Sequence, residues 1–422
     1  MRLLTHMTVG FLALAASLAR GQEFFEEAPI EYSAGISSDP VAQLAKDWER
    51  GRNQISATQP LPFLRELLAK LNVPEESQVL VFSKTSKQAA LISPQNPRAL
   101  YFSDDLYVGF VPGGSIEIIA CDPLLGPVFY LLEPPAGGRP ATVSRSPDCL
   151  TCHASARTEE VPGMQVRSVV SDRDGRPILS AGTHSTNHSS PLAERWGGWY
   201  VTGTHRGARH MGNLTSDPDH PQLDPDAGSN WTTLAGKFDT SRYLRPTSDI
   251  VALMVLEHQC RMHNLITKAG MEYRRALWLA MTLDPSFSED DTGSSAHRVA
   301  TGRASALVSE LLFRGEAPPG PDGVEGDPAF QAAFARSAPK TADGRSLKDF
   351  RLYGRIFKHR CSYMIGSRAF ASLPPMIRTL VYAELRDILT ASGGGADFAY
   401  LSASERRNIA AILDATQPAW RH

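Results

Sequence analysis

The sequence predicts an α+β fold, with a β-rich N-terminal part followed by an α-helical C-terminal part. Two observations carry this expectation. Between Gln78 and Leu132, short runs rich in β-branched and aromatic residues alternate with turn sequences, whereas from Ser248 onward apolar residues recur at helical spacing. A chain of 422 residues has ample length to bury a core, as two domains or one large one.

Taken in order, residues 1–21 read as an export signal. Arg2 precedes the apolar run from Met7 to Ala19, and the small residues Ala19 and Gly21 suit cleavage before Gln22. Helical patches follow at Val41 to Arg52 and Leu61 to Leu71. Strands are expected at Gln78–Phe82, Ala99–Phe102, Leu106–Val111, Ile116–Ala120 and Pro127–Leu132. Turns at Pro94-Gln-Asn-Pro97, Pro112-Gly-Gly114 and Leu125-Gly-Pro127 separate them, the spacing of an antiparallel meander.

After Arg145 strand signals thin out, with Gln165–Val170 and Trp199–Thr202 the best. A region spanning 22–240 is therefore expected to be β-rich and 241–422 to be helical. The expected helices are Ile250–Met281, His297–Phe313, Ser346–Phe357, Met376–Thr390 and Ala403–Ala415, the last opened by the capping box Ser402-Ala-Ser-Glu405. Stretches rich in turn residues, Thr215–Ser229 and Gly315–Asp327, read as linkers, and no repeat of fixed period is present.

Charge narrows the partners. Lys and Arg total 43 against 45 Asp and Glu, a formal net charge of -2, which argues against nucleic acid or a polybasic membrane surface. Beyond the leader nothing approaches the roughly twenty apolar residues of a bilayer span, so no integral membrane segment is expected.

One motif carries chemistry. Cys149-Leu-Thr-Cys152-His153 is C-x-x-C-H, the attachment signature of a c-type haem. Two thiols two residues apart can form thioether bonds to the vinyl groups of one porphyrin, and the next residue places an imidazole under the iron. Half of a zinc site, a redox dithiol and a simple disulfide compete with this reading. No second C-x-x-C or C-x-x-H closes a zinc site, and the preceding Ser144-Arg-Ser-Pro-Asp148 reads as loop rather than as a strand opening a dithiol helix. Of the other cysteines, Cys121, Cys260 and Cys361, the last two could be bridged or all three could stay free.

The second axial ligand decides the function class. Met164 or Met211 could close the iron through a thioether, Met211 being carried here as the metal ligand opposite His153, which suits electron transfer. An open position beside His184, His188, His205 or His210 and Arg206 or Arg209 would suit peroxide chemistry, since imidazole can shuttle a proton while guanidinium stabilises departing charge. In the helical part Met254, His258 and Met262 share one face at i, i+4, i+8, near Glu257, Cys260 and His263, and read either as core filler or as an approach to the haem. The glycines of Arg195-Trp-Gly-Gly-Trp-Tyr200 permit a close backbone approach, to porphyrin or to a strand neighbour. Lys358-His-Arg-Cys-Ser-Tyr-Met-Ile-Gly-Ser367 is similarly distinctive without declaring a chemistry.

Together, Pro94–Phe102, Cys149–Ala154, Glu194–Tyr200 and His210–Asn213 resemble a group of exported bacterial monohaem proteins that contain a c-type cytochrome domain. The resemblance covers most of the mature chain. It implies one covalent haem c on Cys149, Cys152 and His153 and a periplasmic or secreted location, and it supplies no substrate. In such a protein the Asn-x-Ser/Thr triplets at Asn187, Asn213 and Asn230 would not be glycan sites. The expectation is thus a periplasmic haem protein passing electrons to an unknown redox partner. The alternative is a haem peroxidase or other haem oxidoreductase, motivated by a chain several times longer than a bare electron carrier needs, with a haem sensor or scaffold as a third class.

Overall fold

The computed structural model describes residues 23–421 apart from 222, 225, 337 and 391–395, so the expected leader lies outside the described residues. Two helices open the described chain: α1 (Pro40–Glu49) and α2 (Pro60–Lys70). Each begins on proline, whose fixed φ and missing N–H suit a first helical turn, and the Asp39 carboxylate accepts from the Val41 and Ala42 N–H groups to cap α1.

The expected meander follows as β1 (Val79–Val81), β2 (Arg98–Phe102), β3 (Leu106–Phe110), β4 (Ile116–Asp122) and β5 (Gly126–Glu133). A further strand, β6 (Thr142–Arg145), extends it, and after a separate antiparallel pair, β7 (Val166–Val169) with β8 (Thr183–Thr186), the short β9 (Trp199–Tyr200) returns beside β1. The main sheet runs β6-β5-β4-β3-β2-β1-β9, antiparallel throughout, with Val108 opposite Ile118 and Ala120 opposite Val128.

Strand periodicity then sorts side chains between two cores. Leu106, Val108 and Phe110 of β3 pack with α1 and α2 on one face, while Tyr107 packs on the other among the C-terminal helices. Val79 and Val81 likewise face the helices and Leu80 faces away. Because both faces are covered, the central strands read as nearly continuous apolar runs.

A single helical turn, α3 (Leu150–His153), lies between β6 and β7. Then come α4 (Ile250–Leu283), α5 (Ser295–Leu311), α6 (Pro328–Arg336), α7 (Arg368–Ala371), α8 (Pro375–Thr390) and α9 (Ala403–Thr416). The architecture is α+β, as expected. The 34-residue α4, capped by the Asp249 carboxylate on the Ala252 N–H, runs through the core and meets both sheet and helices, so the two parts share one apolar cluster. No helix among the described residues is long and apolar enough to cross a membrane.

One expected helix is corrected. Residues 346–357 form an irregular turn in which Phe350 pairs with Phe357 and the Arg351 N–H donates to the Ile356 carbonyl. Leu352 and Gly354 take φ of 58° and 69°, which no helix tolerates, and the Phe350 and Phe357 rings stack at 5.4 Å. Aromatic packing across a turn produced the apolar spacing that suggested a helix.

Candidate haem-attachment site

The sheet edge delivers the C-x-x-C-H. Arg145, at the end of β6, donates to the Gly35 and Tyr32 carbonyls, and the Ser146 N–H donates to the Phe129 carbonyl of β5. Pro147 starts a 3-10 turn over Pro147–Cys149 that passes directly into α3. Cys149 and Cys152 are therefore three residues apart on continuous helical backbone and share a face. Both are free thiols, Cys149 half-buried and Cys152 exposed.

His153 packs its ring on Phe129 at 4.9 Å. Its Nδ1 lies 2.8 Å from the Gly163 carbonyl oxygen, and since a carbonyl can only accept, Nδ1 carries the proton. Nε2 of the neutral ring is left with its lone pair, the tautomer and outer-shell partner characteristic of metal-ligating histidines. Burial pushes the imidazole pKa down, keeping the ring neutral.

The loop from His153 to Gly163 is closed on itself and on α4. The Gly163 N–H returns to the His153 carbonyl at 2.8 Å, and Ser155 and Thr158 form a reciprocal cap. Asn264 of α4 bonds both the N–H and the carbonyl of Met164, at 2.8 and 2.7 Å. A Cβ at Gly163 would lie 2.5 Å from the Asn264 Oδ1, so glycine is required by that approach. Farther round the loop, Glu159 pairs with Arg261 and Lys268 of the same helix. Arg167 lies near both Arg157 and Cys152, and an exposed Lys87–Asp148 pair at 2.7 Å stands beside Cys149.

The other expected site residues scatter. Met164 is buried at 3% exposure in the shared core, next to the Gly163 carbonyl that holds Nδ1, with its own N–H and carbonyl both bound by Asn264. Met211 takes a hydrogen bond from Ser168 Oγ to Sδ at 3.8 Å, and its N–H donates to the Arg195 carbonyl. These contacts, with Ser168 of β7 and with the backbone of the Arg195 segment, are the ones the Met211 side chain and N–H make.

Arg206 and Arg209 form exposed ion pairs with Glu325 and Asp226, and His184 meets Glu194 at the surface, 3.5 Å away. His205 and His210 meet edge to face at 4.6 Å, both buried, and each takes a backbone N–H on a ring nitrogen, from Asn230 and Gly212. These groups are thus divided among separate partners. Asn213 and Asn230 themselves occupy positive-φ turns with their side chains bonded inward, a structural use of both triplets. Gly197 approaches the Val169 backbone, a Cβ there lying 2.9 Å from it, so the close contact made by the Trp-Gly-Gly-Trp segment is with a strand neighbour.

The remaining cysteines are separate and buried. Cys260 and Cys361 are unbridged thiols whose pKa values burial pushes up to about 12. Cys121 lies 3.3 Å from His263 Nδ1, whose Nε2–H donates to the Asp104 carbonyl, and burial holds it as a thiol. Met254 and Met262 are core residues, and His258 between them turns to His188 rather than to the C-x-x-C-H. Sequence reasoning missed Gly163, whose contribution is a backbone carbonyl, and Glu159 and Glu310, whose partners lie far away along the chain.

The buried histidines set an acid limit. Burial, with a further contribution from His205, depresses His210 from 6.5 to about 3, so between those values the unfolded chain binds a proton that the folded one refuses. Stability then rises with pH by at most about 1.4 kcal/mol per unit across that window and, for this group, changes no further outside it. Urea unfolding at pH 7 and pH 5 is expected to show a smaller gap in His210→Gln than in the wild type. An equal gap would exclude His210 as a source of the acid sensitivity.

The chain matches no family model, no curated protein and no solved structure.

Proposed function

We propose that the protein is an exported c-type haem protein that transfers electrons through one haem attached covalently to Cys149 and Cys152, with His153 as axial ligand. The observation carrying this reading is the His153–Gly163 hydrogen bond. It fixes the tautomer that leaves Nε2 free, on a helical turn whose two thiols are accessible and share a face. The bound haem would supply a one-electron couple. Around it the chain's own residues would set the environment: Phe129 packs the ligand, Gly163 holds its Nδ1 proton, and Arg167 contributes positive charge near Cys152.

Electron transfer is favoured over peroxidase chemistry because Cys152 is exposed, and because Arg206, Arg209, His205 and His210 are engaged with other partners. The resemblance to exported monohaem proteins points the same way and carries the periplasmic location and the redox partner as further parts of the proposal.

The test is the absorption spectrum of protein produced with a c-type maturation system. His153→Ala is expected to lose the native spectrum while retaining thioether-linked haem, and Met211→Ala to leave the spectrum unchanged. An unaltered spectrum in His153→Ala would refute the axial assignment. Loss of a sulfur-to-iron charge-transfer band in Met211→Ala would instead identify Met211 as the second ligand.

A further inference from the structure

A second group of potential ligands lies away from the C-x-x-C-H. His188 follows β8, His258 is on α4 and Glu310 is in the last turn of α5, so three separate segments meet. His188 Nδ1 is 3.1 Å from His258 Nδ1 and 3.1 Å from Glu310 Oε1, and all three ligand atoms lie within 4.8 Å of one another. We propose that His188, His258 and Glu310 bind a single divalent first-row transition-metal ion, a site distinct from the haem.

Protons alone satisfy this arrangement poorly. His258 Nε2 is 2.7 Å from Ser362 Oγ, and an Nε2–H donated there leaves His258 Nδ1 a bare acceptor. His188 Nδ1 can then carry one proton, for either His258 or Glu310. Glu310 Oε1 receives no aligned hydrogen bond in spite of the 3.1 Å approach, and is buried. One cation accepts all three lone pairs at once. Donors about 2.0–2.1 Å from a tetrahedral ion lie about 3.3 Å apart, close to the spacings here.

The surroundings are those of a built site. Ser362 Oγ would hold His258 through the ring nitrogen that is not a ligand, and the Arg195 guanidinium fixes the His188 carbonyl at 3.0 Å. Phe313 covers both rings, 4.3 Å from His258 and 5.1 Å from His188. His188 and His258 are sealed at 1% and 0% exposure, whereas the Glu310 side chain retains 15%, giving the ion a route from solvent. Imidazole nitrogens with a carboxylate select a transition ion rather than calcium or magnesium, and three protein ligands leave a coordination position for water or a small ligand.

The site also touches the haem loop. Arg261 stands between Glu310, at 3.7 Å, and Glu159, which belongs to the loop that closes behind His153.

The test uses the full mature chain with its haem, cleared of loose metal by a chelator and titrated with zinc. One zinc per chain is expected, with a rise in thermal midpoint. Because His258 lies wholly in the core, the decisive variant is Glu310→Gln, which keeps shape and reaches the surface. It is expected to weaken zinc binding about 100-fold or more, at or beyond the upper end of what loss of an outer-shell partner costs. The same titration in Cys149→Ala/Cys152→Ala should still give one zinc, which separates this site from the C-x-x-C-H whatever that motif binds. Absence of stoichiometric zinc, undiminished affinity in Glu310→Gln, or loss of zinc with the two cysteines would each overturn the proposal.

Discussion

Replacing Cys149 and Cys152 together by alanine is expected to abolish covalent haem, so that denatured protein carries no porphyrin on a gel while the wild type does. The two thiols are the anchor points on which the haem reading depends, and nothing else in the fold needs them. Cys149 is half-buried, Cys152 is exposed, and neither is bridged. Neither is among the buried apolar residues that form the two cores. The variant should therefore be exported and fold with a far-ultraviolet spectrum like the wild type's, and a thermal midpoint compared at matched haem content should change little. Single substitutions are expected to leave one thioether and a shifted haem spectrum. A wild-type preparation that matures normally and carries zinc at this motif, with no porphyrin, would replace the haem proposal by a metal one. Collapse of the double variant into unfolded protein would instead show that the turn supports the fold.

Most of the β meander was legible because its residues are forced into period-two order by two buried faces. Leu106 to Phe110 could alternate between two cores only as a strand. The elements that escaped are those whose stabilisation is not local. β6 pairs along the sheet edge with Thr142 and Ser144 exposed or polar, so no apolar alternation marked it. The strand β8 is held by pairing with β7, and α6 is short, its start marked by the Asp327 carboxylate accepting from the Ala329 N–H just ahead of its proline-led turn. The false helix over residues 346–357 failed for the converse reason: an aromatic cluster across a turn mimicked helical spacing.

For the candidate site, the C-x-x-C-H is local and could be read directly. The Gly163 carbonyl that orients His153 is a backbone atom ten residues on, without side-chain identity to betray it. The histidine-rich segment was a cluster in sequence that the fold divides three ways: His184 at the surface, His205 with His210, and His188 with His258 seventy residues away along the chain. Glu310 had no sequence signal and Ser362 sat in a distinctive stretch that declared no chemistry, since each matters only through the segment it meets.

The largest loss of stability from a single substitution is expected at Arg195. Its guanidinium is 2% exposed and makes a 2.9 Å ion pair with Glu257, which is fully buried on α4, while its other donors reach the Ser190 and His188 carbonyls at 2.7–3.0 Å. Burial raises the Glu257 carboxyl pKa and Arg195 is the largest influence pulling it back, so the carboxylate depends on this partner. Arg195→Met should cost about 3–5 kcal/mol in urea unfolding at neutral pH, because it strands a buried charge rather than merely removing an attraction. Adding Glu257→Leu should recover part of the loss and leave the share due to the two orphaned carbonyls. The pH dependence gives the sign. Without Arg195 the folded-state pKa of Glu257 climbs further above its ordinary 4.5, so across that window the folded chain binds the extra proton and stability falls as pH rises. The deficit of Arg195→Met relative to wild type is therefore expected to be smaller at pH 5 than at pH 8. A deficit independent of pH, or no recovery on adding Glu257→Leu, would assign the loss to the carbonyls and to the packing of the arginine stem instead of to the buried charge.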